Sequence, residues 1–483
     1  MSAVTVLSVV LLYFLILLLV GYLTGRHAKN NAFFIGNRQS PWGVVAYGMI
    51  GASLSGITFI SVPGWVVSDH FQYLQMVIGY IFGYVFIANV LLPVFYRLKL
   101  TSIYEYLNER FDIIAYKTGS VLFLFSRIIG ASFRLFVVAS ILQVLALNSL
   151  GVPFPVTIMV IMLLIWAYTY RGGIKTIVWT DMLQTTFMLL TLVATIIVVL
   201  TSIHLSVAQA WHELKQYQLV QIFDFSDWRN PHYFWKQLLA GAFMAIAMTG
   251  LDQDMMQKNL SCRNLKESKK NVYLLSVSLL LVNFVFLFLG ALLVYFVKIK
   301  GLEMPADTDY LFSYVVIQSG MLPIYLGVFF IIGLVAAAFS SADSALTALT
   351  TSFTIDILGV AGKTEREVKR LRIRIHFLIS ILIILVIVGF SYIKQEAIIS
   401  SLFKIASYTY GPLLGLYFFG LFTKIKLRGW GIPVIAVVSI LLTYLFANYA
   451  VDWFDGYQFG FELLLLNGMI TFAFLWILGK ILK

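Results

Sequence analysis

Thirteen apolar stretches, most of them about 20 residues long or more, fill this chain, and that is the length a helix needs to cross a bilayer. They lie near 4–24, 43–63, 72–96, 118–147, 155–170, 176–203, 236–256, 272–297, 322–356, 371–393, 397–423, 431–449 and 461–481. A backbone inside hydrocarbon must satisfy its own hydrogen bonds, which leaves helices as the way to use such stretches. The sequence therefore reads as an all-α polytopic membrane protein with about 13 transmembrane helices. The fourth and ninth stretches are long for a bilayer and are expected to tilt or project beyond it. Charged residues are 12% of the 483, about half of a soluble domain's share, which excludes an ordinary soluble protein. The first run, Val4 to Leu23, has no basic stretch before it and no small-residue cleavage site after it, so it is read as a retained helix.

A net charge of +12 would point to nucleic acid in a soluble protein; here it follows topology. With the N-terminus outside, the inner connections near 26–38, 97–117, 171–175, 258–270, 363–374, 424–428 and 480–483 hold most of the Lys and Arg, Lys258 among them. The outer connections hold Lys215, Arg229, Lys236, Lys298, Lys300 and Lys394. This bias fits a multi-pass protein of the plasma (inner) membrane with a cytoplasmic C-terminus, and no nucleic-acid partner is needed to explain the charge. Connections are short apart from about 204–235 and 298–321, so the chain is expected to be one membrane domain without a soluble catalytic unit.

Within the ninth stretch, Val335 to Ile357 reads VAAAFSSADSALTALTTSFTIDI. On a helix, Ser340, Ser341, Asp343, Ser344, Thr347 and Thr351 fall on or near one face at membrane depth. Hydroxyl, carbonyl and carboxylate oxygens are what a small hard cation takes. Small-residue helix packing accounts for the hydroxyls equally well, but a carboxylate at that depth points to function. The second stretch contains GMIGASLSGITFISVPG, Gly48 to Gly64, a poor continuous helix. An interruption there would free carbonyls for ions or substrate; the plain alternative is a packing helix kinked at Pro63. Ala245 to Gln257, with Gly250, Asp252 and Asp254, has the same character five helices later. Spans 2–6 and 7–11 would then be two repeats of opposite orientation.

Arg127 and Arg134, seven residues apart, share a face of the fourth stretch. Arg127 either snorkels or meets an acid, and Arg134, set deeper, needs a protein or a substrate carboxylate. Asp181 can pair with a nearby cationic side chain or complete a cation site with Ser344. Lys404 can be a substrate group or an internal counter-ion. Enzyme chemistry finds no support: the histidines lack metal-ligand spacing, Cys262 is alone, and neither a phosphate-binding loop nor a Ser/His/Asp set emerges.

Three segments carry a family resemblance: LTSIYEYLNERF (100–111), RGGIKTIVWTDMLQ (171–184) and AAAFSSADSALTALTTSFTIDI (336–357). Together they resemble the sodium/solute symporter family, and SLSGITFISVP (53–63) is similar to the broken helix of its sialic-acid-transporting members. The resemblance implies a leucine-transporter-type five-plus-five inverted repeat with an extra N-terminal helix and two C-terminal helices. The layout would be 1–42, then repeats 43–203 and 236–423, then 424–483. It implies sodium as the coupling ion, with a main site at Gly51, Leu54, Ala337, Ser340 and Ser341. A second sodium site would use Asp181, Ser340, Asp343 and Ser344, although Asp343 stands where a serine is expected. It places Ser53, Ser55, Thr58, Phe71, Gln75 and Arg134 around the substrate. Ser53 replaces a threonine, and the spacing before Phe71 and Gln75 is one residue short. The expected activity is secondary active symport, by alternating access, of a small organic solute bearing a carboxylate, such as sialic acid, another acidic sugar or a monocarboxylate. Alternatives are a neutral solute, proton coupling through Asp343, and a membrane solute sensor, the last disfavoured because the sequence closes at Lys483 without an output domain.

Overall fold

The computed structural model describes residues 3–26, 28–392 and 395–481, with every side chain in them except those of 3, 55, 57 and 395–404. Lys404 and the side chain of Ser55 therefore lie outside the described part. The spans are α1 (Val4–Gly25), α2 (Trp42–Leu54 and Thr58–Asp69), α3 (Tyr73–Arg97), α4 (Ile113–Leu150), α5 (Phe154–Thr169), α6 (Ile174–Ser202) and α7 (Phe234–Gly250 and Gln253–Leu260). They continue with α8 (Leu265–Ile299), α9 (Ile324–Ile357), α10 (Glu365–Phe390), α11 (Gln395–Phe422), α12 (Gly431–Trp453) and α13 (Leu463–Ile481). The helices α2 and α7 are bent by 55° and 67°, and α5 is the shortest at 16 residues. These helices occupy the thirteen stretches read from sequence; among the described residues ten are long and apolar enough to cross a membrane, twelve with the two bent pairs, and α5 is shorter than that. The 38 residues of α4 and 34 of α9 exceed what about 30 Å of hydrocarbon requires.

Helix starts follow from capping chemistry. Asp112 accepts the backbone N–H of Ala115 at 2.8 Å to begin α4. Asn264 accepts that of Glu267 at 3.0 Å to begin α8. Thr364 and Glu367 form a reciprocal capping box at α10. The bend in α2 falls between Leu54 and Thr58 rather than at Pro63, which sits inside the second half. In the N-terminal connection Asn30–Ile35 forms a short buried helix, held to α10 by Asn30 Nδ2 donating to the carbonyl of Glu365 at 2.9 Å.

Packing reproduces the inverted repeat. The pair α2 with α8 is matched by α7 with α3, α6 with α9 is matched by α11 with α4, and α4 meets its counterpart α9 directly. Every residue of α9 from Gly333 to Ser352 is buried, which makes it the central helix. Outward-facing Leu163, Val193, Leu281 and Leu385 leave an apolar surface suited to lipid.

Glycines set how closely the bent helices approach their partners. A Cβ on Gly241 of α7 would stand 2.0 Å from the Met76 carbonyl oxygen of α3, and one on Gly290 of α8 would stand 2.4 Å from that of Pro63. A neighbouring backbone cannot move aside as a flexible side chain can. Gly241→Ala is expected to cost on the order of 2 kcal/mol and lower the melting temperature in detergent. Gly43→Ala, with nothing within 4 Å of the added carbon, is expected to leave it unchanged.

Candidate functional site

Both bends open on a central cavity of about 150 Å³. Its walls include Ser53 and Thr58 of α2, Tyr73 and Tyr80 of α3, Arg134 of α4 and Thr249 of α7. Three of the expected substrate residues, Ser53, Thr58 and Arg134, are thus brought together. Phe71 and Gln75 are not among the lining residues. Phe71 is buried at 5.9 Å from the ring of Phe284 and 6.2 Å from that of Trp211. Gln75 is fully buried, donating to the His232 carbonyl at 3.0 Å and accepting from the backbone N–H of Asp224 at 3.1 Å, so it ties down the 204–233 connection. The reason is register: α3 begins at Tyr73, and helical spacing turns Tyr73, Met76, Tyr80 and Tyr84 to the cavity.

The two arginines of α4 separate by their partners. Arg127 lies 3.4 Å from Asp252 and also pairs with Asp254, both at the bend of α7. Among the described residues no carboxylate pairs with Arg134. Both guanidiniums line the cavity; that of Arg127 is neutralised within the protein, and that of Arg134 has no carboxylate partner among the described residues.

A second group of polar side chains gathers between α2, α6 and α9. A 55° bend weakens the hydrogen bonds that cross it, which are made by the carbonyls of residues 51–54. Gly51 and Leu54 therefore stand at the bend, where the backbone packs on α9: a Cβ on Gly56 would be 3.6 Å from the Ala338 Cα. On α9, Ser341 Oγ lies 3.4 Å from the Ala337 carbonyl, and Ser340 Oγ donates to Asp181 Oδ1 at 2.6 Å. Thr185 of α6 accepts the Gly51 N–H at 3.1 Å and donates to the Gly48 carbonyl at 3.3 Å, fixing α2 against α6. Carbonyl and hydroxyl oxygens of this kind suit a monovalent hard cation. Asp343 is fully buried, and its Oδ2 accepts from Tyr168 of α5 at 2.7 Å.

Two features escaped the sequence reading. Lys258, counted there as an inner-connection residue, is 1% exposed, and its Nζ meets Asp181 Oδ2 at 2.8 Å. The available signal was its place four residues after Asp254, on the same helical face. Asp356, at the end of α9, accepts from Ser102 and Tyr116 at 2.8 Å each. Ser102 belongs to the 100–111 segment, which also braces the α7 bend: Tyr104 OH donates to the Leu251 carbonyl at 3.0 Å, and the Ile103 N–H donates to Gln253 Oε1 at 2.9 Å.

Comparison with known proteins agrees with this architecture. The sodium/sialic acid symporter SiaT of Proteus mirabilis is 26% identical over 469 residues, covering 91% of this chain and 88% of that protein. The sodium-dependent multivitamin transporter of Oryctolagus cuniculus is 30% identical over 251 residues, 52% of this chain but 38% of that longer protein. A solved structure of a Na+-coupled sialic acid symporter, substrate-bound and outward-open, superposes with a TM-score of 0.83 at 21% identity, covering 99% of this chain and 98% of that chain. This establishes the shared fold, a leucine-transporter-type arrangement. The family model of the sodium:solute symporters matches residues 33–429, and the chain belongs to that family.

Proposed function

We propose that this protein is a sodium-coupled symporter that imports a small carboxylate-bearing solute, sialic acid or another acidic sugar or monocarboxylate, by alternating access. The carrying observation is Arg134, a cavity guanidinium that pairs with no carboxylate among the described residues, while Arg127 takes both acids of the α7 bend. A buried guanidinium is costly unless an anion neutralises it, and a bidentate carboxylate does so with fixed geometry. Ser53 and Thr58 stand beside it to hydrogen-bond the remaining polar groups of the solute. The names of the sialic acid relatives point to the same chemistry.

Sodium, as the co-transported ion, would be held by the carbonyls of Gly51, Leu54 and Ala337 and the hydroxyls of Ser340 and Ser341. Those ligands come from α2 and α9, so the ion joins the bent helix to the central one and stabilises the arrangement that receives the solute. Its release inward loosens that joint. The orientation proposed is N-terminus outside and C-terminus cytoplasmic in the plasma (inner) membrane, from the basic inner connections.

Thermal stabilisation of detergent-purified protein across carboxylates and neutral sugars tests the substrate class. A carboxylate is expected to stabilise in sodium and not in potassium. Arg134→Ala is expected to weaken it by about 30-fold or more, the loss of a buried charged partner. Stabilisation by a neutral sugar, indifferent to that substitution, would remove the acidic substrate. In proteoliposomes, uptake is expected to collapse when potassium replaces sodium, and Ser341→Ala is expected to raise the sodium concentration for half-maximal uptake about tenfold or more. Uptake that persists without sodium and rises as the external pH falls would mean proton coupling instead.

A further inference from the structure

The resemblance to sialic acid symporters implied a second sodium held by Asp181, Asp343 and Ser344, and the surroundings of Asp181 argue against it. Both oxygens of that carboxylate are engaged: Oδ1 accepts from Ser340 at 2.6 Å, and Oδ2 faces the Lys258 ammonium at 2.8 Å. Each partner is buried, with Asp181 and Lys258 both 1% exposed. Lys258 has one other acid in reach, Asp254 Oδ1 at 3.9 Å, and Asp254 is already paired through its second oxygen with Arg127. The ammonium therefore belongs to Asp181.

We propose that Lys258 is a tethered cation that fills the second cation position at Asp181, so that this transporter binds one sodium ion and not two. This rests on the symporter reading above and refines it. A sodium ion on Asp181 would share an oxygen with the ammonium, and two like charges that close repel strongly in a dry interior. An ammonium has the charge of sodium and donates hydrogen bonds where the ion would accept oxygen lone pairs. It differs in being attached to the inner half of α7, Gln253–Leu260, so it never leaves with the cargo. The main site keeps its ligands, because Ser340 can turn a lone pair to the ion while its hydrogen stays on Asp181.

The test counts sodium with the metal alone. Equilibrium binding of radioactive sodium to purified protein, without solute, is expected to saturate at one ion per chain in the wild type. Lys258→Gln is expected to saturate at two, Lys258→Arg at one, and Lys258→Gln combined with Asp181→Asn at one. Saturation at two ions in the wild type would overturn the tethered cation while leaving the symporter intact, and that measurement needs no variant to fold. Saturation at one in a folded Lys258→Gln protein would overturn it as well. Absence of sodium binding in every form would instead defeat the symporter reading from which this one follows.

Discussion

The site depends on Arg127 lying between Asp252 and Asp254. It is a contact between the two repeats, α4 on one side and the bend of α7 on the other. Charges taken out of water are tolerated only when paired, and removing one partner typically costs about 3–5 kcal/mol. From Asp254 the pairing continues to Lys258 at 3.9 Å, from there to Asp181 at 2.8 Å, and on to Ser340 at 2.6 Å. The line of contacts crosses α4, α7, α6 and α9. It ties the bend of α7 to the central helix α9 of the same repeat, through α4 and α6 of the other.

A gap in a helix at membrane depth needs partners for the backbone groups it frees. At α7 they come from Asp252 and Tyr104. Asp252 caps the second half, Gln253–Leu260, by accepting the N–H of Asp254 at 2.8 Å. Tyr104 serves the Leu251 carbonyl, and Gln253 bridges back to the Thr101 carbonyl at 3.0 Å and the Ile103 N–H at 2.9 Å. The 100–111 segment, one of the three that carry the family resemblance, is therefore a brace. Its residues touch the bend and the end of α9, and none of them lines the cavity.

What could be read beforehand follows from periodicity. Apolar length gave the spans, and the three- and four-residue spacing of Ser340, Asp343, Ser344 and Thr347 put them on one face of α9, all fully buried or nearly so. Arg134 was legible as a charge needing an anion. Phe71 and Gln75 were not, because the start of α3 is decided by its packing on α7 through Gly79 and Gly241, a tertiary contact with no local signature. Lys258 failed for a related reason. A basic residue just past an apolar stretch reads as a loop charge, and only the 67° turn of α7 folds that segment back into the interior. The interruption read within Gly48–Gly64 falls between Leu54 and Thr58, and the kink at Pro63, its plain alternative, is not where α2 bends.

Charge bookkeeping at the two arginines and the lysine also bears on energetics. Arg127 and Lys258 are neutralised by acids of the protein, so they travel with the scaffold and leave the cargo's charge unchanged. In the proposed carrier Arg134 is neutralised by the solute. A loaded carrier holding one sodium and one monocarboxylate then reorients with no net cargo charge. The membrane potential, about 2.3 kcal/mol per unit charge at 100 mV, does no work on that step. A cycle that moves no net charge accumulates solute on the sodium concentration gradient alone, and the return of the empty carrier affects only the rate. By the same proposal, freeing Asp181 from Lys258 would admit a second ion and make the loaded step carry charge, so the tether would set how strongly uptake answers to voltage.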